Sequence, residues 1–334
     1  MRVTRVRVAG VCLVLGGLLA ASLWLALGAG AVPLDGRTLG LWLTGGLHDP
    51  QAEAILLHFR LPRVLLAGLA GAGLALAGLA LQTVLQNPLA EPFIMGVSGG
   101  AALGAVLALA GGVPGLAARG GAAFAGAAAS ALMVLALARR QGRADPAALV
   151  LVGVMVNAFC AAVIMFILST TSDQKLHAIM FWLYGDLGGA SLEQAAWLAS
   201  VVAGGGLWLW LRSRELNLLV SGETTAAALG VEVERIRLQV LAISSLMAGL
   251  IVCLSGLIGF VGLMLPHLAR LALGHDHRLV LPAAGLGGAV FLVLADAVAR
   301  VLISPAVLPV GVVTAMLGVP FFLVLLLQRR RQWW

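Results

Sequence analysis

Apolar positions in this chain form long blocks separated by short polar interruptions. The blocks run at about 8–32, 62–86, 93–118, 121–138, 147–170, 190–211, 238–273, 279–303 and 306–327. Most match the ~20 residues an α-helix needs to cross a ~30 Å hydrocarbon core. The 238–273 block is too long for one crossing. Gly256, Gly259 and Gly262 lie near its middle and predict a turn there, so it reads as two helices. The pattern predicts an all-α integral membrane protein: one bundle of ten transmembrane helices over residues 1–334, without a soluble domain.

The first block could pass for a signal peptide, since Ala29-Gly30-Ala31 resembles a cleavage site. Its apolar run from Val8 to Val32 exceeds the ~7–15 residues of a signal core, so it counts as the first span. No internal repeat is visible along the chain. Gly96, Gly100 and Gly104 recur every four positions, and Gly68, Gly71, Gly73 and Gly78 crowd the preceding block. Both sets predict close helix approach.

The longest polar interruption of the second half, between Leu211 and Leu238, holds four arginines and four glutamates. Ser221 is placed to cap a short helix whose first turn holds Glu223, and Gly230 to end it. An exposed ridge from Ala226 to Leu229 suits docking into a partner's groove. The plainer reading is an interhelical loop with a surface helix.

Composition agrees with a membrane protein. Of 334 residues, 61% are hydrophobic and 10% charged, against ~25% charged in a soluble domain. The net charge of +7 does not point to nucleic acid, because the arginines flank apolar blocks and form no stripe with interleaved aromatics. With ten spans both termini share a side. If that side is the cytoplasm, fifteen of the 21 basic residues face inward, as orienting charges do. The 212–237 loop is then cytoplasmic, on a multi-pass protein of the inner (plasma) membrane.

Cys12, Cys160 and Cys253 lie apart inside apolar blocks and read as packing residues. No GxxxxGK(S/T), HExxH or GxSxG occurs, and the only lysine is Lys175. Neither a P-loop nor catalysis is expected on this chain, and no cofactor of its own. His275-Asp276-His277 suggests metal ligation, but Arg278 adjoins it, and a solvated loop is the favoured reading. His267 follows Pro266 and is expected to bond backbone freed by the proline. Asn157 either lines a pathway or joins two helices. Asp296 and Arg300 share a helix face and should pair. Arg60, Arg63 and Arg300 belong to the outer rim, either snorkelling there or anchoring carboxylates of an external partner.

Together these residues carry a resemblance. Arg60-Leu61-Pro62-Arg63, Gln86-Asn87-Pro88-Leu89-Ala90-Glu91-Pro92 and Met95-Gly96-Val97-Ser98-Gly99-Gly100 resemble the permease subunits of binding-protein-dependent importers for iron-siderophores, haem and cobalamin. So do Ala228-Leu229-Gly230-Val231, the stretch from Gly259 through Pro266-His267 to Arg270, Leu294-Ala295-Asp296, and Leu308-Pro309-Val310-Gly311.

The resemblance implies a fold like the cobalamin permease and a homodimer acting as a type II ABC importer. It implies two separate cytoplasmic ATPase subunits that bind ATP and Mg, a periplasmic binding protein, and a metal-chelate substrate. Coupling to the ATPase would fall on Leu218, Leu219, Ser221, Gly222, Glu223, Thr224, Thr225, Ala228, Leu229, Gly230 and Val231. Docking of the binding protein would fall on Arg60, Arg63 and Arg300. The pathway would run between fifth and tenth spans of two copies, with Met155, Asn157 and Val313 as candidates. The turn at Ala144-Asp145-Pro146-Ala147 lacks the serines and threonines of the cobalamin permease's inner gate. The competing readings are an ion-coupled secondary transporter, an intramembrane enzyme using His267, and a membrane scaffold.

Overall fold

The computed structural model describes residues 4–140, 143–304 and 306–328. Its elements are α1 (Arg5–Gly28), α2 (Gly36–Leu43), α3 (Pro50–Ala54), α4 (Leu61–Val84), α5 (Val97–Ala110), α6 (Leu116–Ala138), α7 (Pro146–Thr170) and α8 (Asp173–Leu183). They continue as α9 (Leu192–Leu211), α10 (Ser213–Val220), α11 (Glu223–Ala228), α12 (Val233–Ser255), α13 (Val261–Leu273), α14 (His277–Val301) and α15 (Val310–Gln328). A two-residue antiparallel pairing, Arg139↔Ala144 and Arg140↔Arg143, closes the α6–α7 turn. Ten helices, α1, α4 to α7, α9 and α12 to α15, take the places of the ten predicted spans. Seven are long and apolar enough to cross a membrane alone, while α5, α13 and the apolar part of α15 are shorter.

Local chemistry sets the helix starts. Asp145 accepts the Ala148 N–H at 2.9 Å ahead of Pro146, and Ser191 with Gln194 forms a capping box on α9. Both place an acceptor on the N–H groups that a first turn leaves open.

The core is built around α4, which is buried along almost its whole length. It packs on α14, α12, α13 and α9. Glycine permits this: a Cβ on Gly71 would lie 2.1 Å from the Gly288 carbonyl oxygen, and one on Gly78 1.9 Å from that of Gly262. Without a hydrophobic drive between helices in lipid, such backbone approach is what yields the dispersion contact.

The structure shows a repeat that the sequence conceals. α4–α5–α6–α7 corresponds to α12–α13–α14–α15. In each set a long helix leads into a short helix of 14 or 13 residues opened by valine. The preceding residue is left-handed in both, Gly96 at φ 76° and Phe260 at φ 70°. The two sets run in opposite directions, since Gly73 faces Ile251 while Ala77 meets Ser244. They also interlock: α4 packs on α13 and α14, and α12 packs on α5 and α6.

At one end, the loop after α8 stitches the second set together. The Asp186 N–H donates to the Ser255 carbonyl at 2.9 Å and the Val310 N–H to the Gly185 carbonyl at 3.0 Å.

Candidate functional site

Two polar centres lie at opposite ends of α4. At the Val84 end sits the α10–α11 element. Ser213, Leu216 and Leu219 recur along one face of α10 and are buried, fixing it to the bundle. The start of α11 differs from expectation. Gly222, at φ 105°, is the N-cap, and Ser221 instead ends α10. An L side chain rarely adopts that φ, which is why glycine rather than serine sits at the corner. The end of α11 is as expected. Gly230 is left-handed, its N–H donates to the Ala227 carbonyl, and the Val231 N–H to that of Ala226, each at 3.0 Å. This pair of bonds is a Schellman motif.

Of the expected coupling residues, Thr224, Thr225, Ala228, Leu229 and Gly230 are exposed, with Ser221 beside them. Leu218, Gly222, Glu223 and Val231 are half-buried. Leu219 is buried, so its side chain packs inward and presents no partner surface. Ala226 is also buried, which shortens the ridge to Ala227, Ala228 and Leu229. Buried Arg237 of α12 pairs with Glu223 and, at 3.1 Å, with Glu234, pinning α11 to α12.

A polar chain joins this element to the spans. The Asn217 amide donates to Asp276 at 2.9 Å and accepts the His277 backbone N–H at 2.8 Å. The His277 ring lies between Asn217 and the Thr83 hydroxyl, 2.8 Å from each. Gln86, left-handed at φ 49°, donates to the carbonyls of Thr83 at 2.9 Å and Leu219 at 2.8 Å. The His275–His277 stretch is thus a solvated turn at His275, while Asp276 and buried His277 are drawn into the polar chain. No metal-holding group of His, Cys, Asp or Glu occurs among the described residues, and Asp276 serves as the N-cap of α14. Pro266 frees the Gly262 carbonyl, and Gln82 donates to it, at 3.3 Å. His267 is buried, edge-on to Phe322. Gln82, Thr83 and Asn217 escaped the sequence reading, although Gln82 and Thr83 are polar residues inside an apolar block, a signal for such a role.

At the other end of α4, Asp296 is fully buried between two arginines. Arg63 approaches it at 2.8 Å and Arg300 at 3.0 Å, which confirms the expected Asp296–Arg300 pair. Arg300 also donates to the carbonyls of Ala26 at 2.9 Å and Ala29 at 2.7 Å. Arg60 donates to those of Leu27 at 2.6 Å, Gly28 at 3.1 Å and Val32. These are carbonyls at or just beyond the last turn of α1, which lack intrahelical partners. The last turn of α1 carries no basic residue of its own, so α4 and α14 supply its cap. In this subunit Arg60, Arg63 and Arg300 are thus engaged within the chain.

Asn157 joins rather than lines. It donates to the Phe93 carbonyl at 2.7 Å and accepts the Gly99 N–H at 3.0 Å, satisfying irregular backbone at the start of α5. Val313 is buried within the chain, which removes it from the open pathway face. Met155 is exposed, 62%, and with Phe159 lines an apolar cavity of about 1010 Å³ between α5, α6 and α7.

In the other set, Glu91 accepts the Phe260 N–H at 2.8 Å. Burial pushes its carboxyl up to about 7, against the opposing pull of that hydrogen bond. The folded chain thus keeps a proton that the unfolded chain loses near pH 4.5. The resulting stability is full below about pH 4.5 and is lost as pH rises through about 7. Glu91→Gln keeps an acceptor and removes the titration. Thermal unfolding between pH 5 and 8 should show wild type losing stability relative to the variant as pH rises. A constant difference would contradict this.

The backbone matches a solved structure described as an inward-facing conformation of a metal-chelate type ABC transporter. The TM-score is 0.86 at 31% identity, covering 96% of this chain and 99% of that one. Fold and site together define an ABC transporter permease spanning the membrane several times. The chain belongs to the FecCD transport family, which matches residues 18–328. It is 40% identical over 328 residues to the hemin transport system permease protein HmuU of Yersinia pestis, covering 96% of this chain and 97% of that protein. It is 42% identical over 280 residues to the cobalamin import system permease protein BtuC of Halobacterium salinarum, covering 83% of this chain and 74% of that one.

Proposed function

We propose that this chain is the membrane-spanning subunit of an ATP-driven importer for a metal chelate such as an iron-siderophore, haem or cobalamin. Two copies form the pathway in the inner membrane, with both termini in the cytoplasm. A separate ATPase, holding ATP and Mg, grips α11 and its Ala228-Leu229-Gly230 tip. A substrate-binding protein docks on the face around the arginine clamp. Family membership and the two named relatives support the chemistry of the cargo.

The observation that carries the reading is the tether of α10–α11. A short element with an exposed apolar tip is fixed by Asn217, Gln86 and Arg237 to α14, α4 and α12. Force applied at Leu229 would therefore reach three spans at once. The chain does no covalent chemistry in this scheme.

Purified chain reconstituted in liposomes with its ATPase tests the scheme. Adding loaded binding protein should accelerate ATP hydrolysis and drive uptake. Uptake that continues without ATP and collapses with an uncoupler would overturn it in favour of an ion-coupled carrier.

A further inference from the structure

Beside the tether, at the Val84 end of α4, lies a cavity of about 470 Å³ with a mixed polar and apolar wall. Its wall includes Gln82, Gln86, Asn87, His267, Arg270 and His275, and no carboxylate among the described residues lines it. Arg270, on α13, is half-buried and donates to the side-chain carbonyl of Gln82. No described residue forms an ion pair with it. That is unusual for this chain, whose other part-buried or buried arginines on the same side, Arg212 and Arg237, each meet a glutamate.

A guanidinium drawn out of water needs an anion or several acceptors, because desolvation otherwise outweighs what one amide returns. Its planar fork suits an oxyanion with two oxygens side by side. The Asn87 amide and the His275 imidazole add donors to the same wall. We propose that this cavity is an oxyanion site of phosphate type, with Arg270 as its anchor. A bound phosphate group would bridge α13 to the Gln86–Asn87 turn and so stiffen the tether beside it.

The chemistry is shared by free inorganic phosphate and by the headgroup of an anionic phospholipid. The full chain in lipid nanodiscs separates them. In phosphatidylcholine discs, inorganic phosphate is titrated against chloride at matched ionic strength, and thermal unfolding is read. A free-phosphate site gives a saturable rise of about 5 °C at a hundredfold excess over the dissociation constant. In phosphatidylglycerol discs without phosphate, native mass spectrometry reads retained lipid, and a headgroup site keeps a bound lipid that phosphate does not add to.

Arg270→Gln should abolish whichever response wild type gives. Arg270→Lys, which keeps the charge but not the fork, should weaken it about tenfold. Should Arg270→Gln fail to fold, the wild-type and lysine titrations still decide. No saturable response of wild type in either arm, or an Arg270→Gln response equal to wild type, overturns the proposal. The isolated chain is used throughout, so failure here is separate from failure of ATPase coupling.

Discussion

Asp296→Ala should lower the thermal unfolding midpoint in detergent by about 5–10 °C, the scale expected when two buried guanidinium groups lose their shared carboxylate. Asp296 is 0% exposed and contacts both Arg63 and Arg300. Removing it leaves two cations close together in a poorly solvated site. The damage should spread to α1, because Arg300 and Arg60 cap its last turn and little else of α1 is buried. Protease sensitivity of the α1–α2 connection should therefore rise with the loss of melting temperature. Asp296→Asn keeps the shape and one acceptor and should fall between. An unchanged midpoint for Asp296→Ala would mean that the arginines are solvated, and would return them to the role of free docking anchors.

Leu229→Asp should remove copurification with the ATPase, weakening assembly by at least about 100-fold, as expected when a charge replaces an apolar anchor at the centre of an interface. Leu229 is 58% exposed, so the bundle should melt at the wild-type temperature. Gly230→Val is the contrasting change. The φ of 85° at Gly230 disfavours a branched side chain, so both the local helix end and assembly should suffer. Retained copurification of Leu229→Asp, with stimulated ATP hydrolysis, would show that α11 is not the ATPase handle.

Span number and the α11 region were legible in the sequence because both rest on local signals. Block length decides a crossing, and glycine at Gly230 marks a helix end whatever surrounds it. The start of α11 was misread because serine and glycine stand side by side and only the chain path chooses between them. The internal partners of Arg60, Arg63 and Arg300 were hidden for another reason. Sequence places a charge near a helix end but not its direction, and the partners at Ala26, Leu27 and Ala29 lie far away along the chain. The inverted sets stayed hidden because glycine and phenylalanine hold equivalent left-handed positions, Gly96 and Phe260. Backbone shape is preserved there while side-chain identity is not.

The exchange of leading helices between the two sets limits how the subunit can move. With α4 wedged into the second set and α12 into the first, a hinge between sets would have to pull Gly71 from Gly288 and Gly78 from Gly262, where backbone rests on backbone. Neither half can swing alone. If two copies pair as proposed, a gate for a large cargo would then arise from whole subunits tilting against each other, with the seam between copies as the moving part.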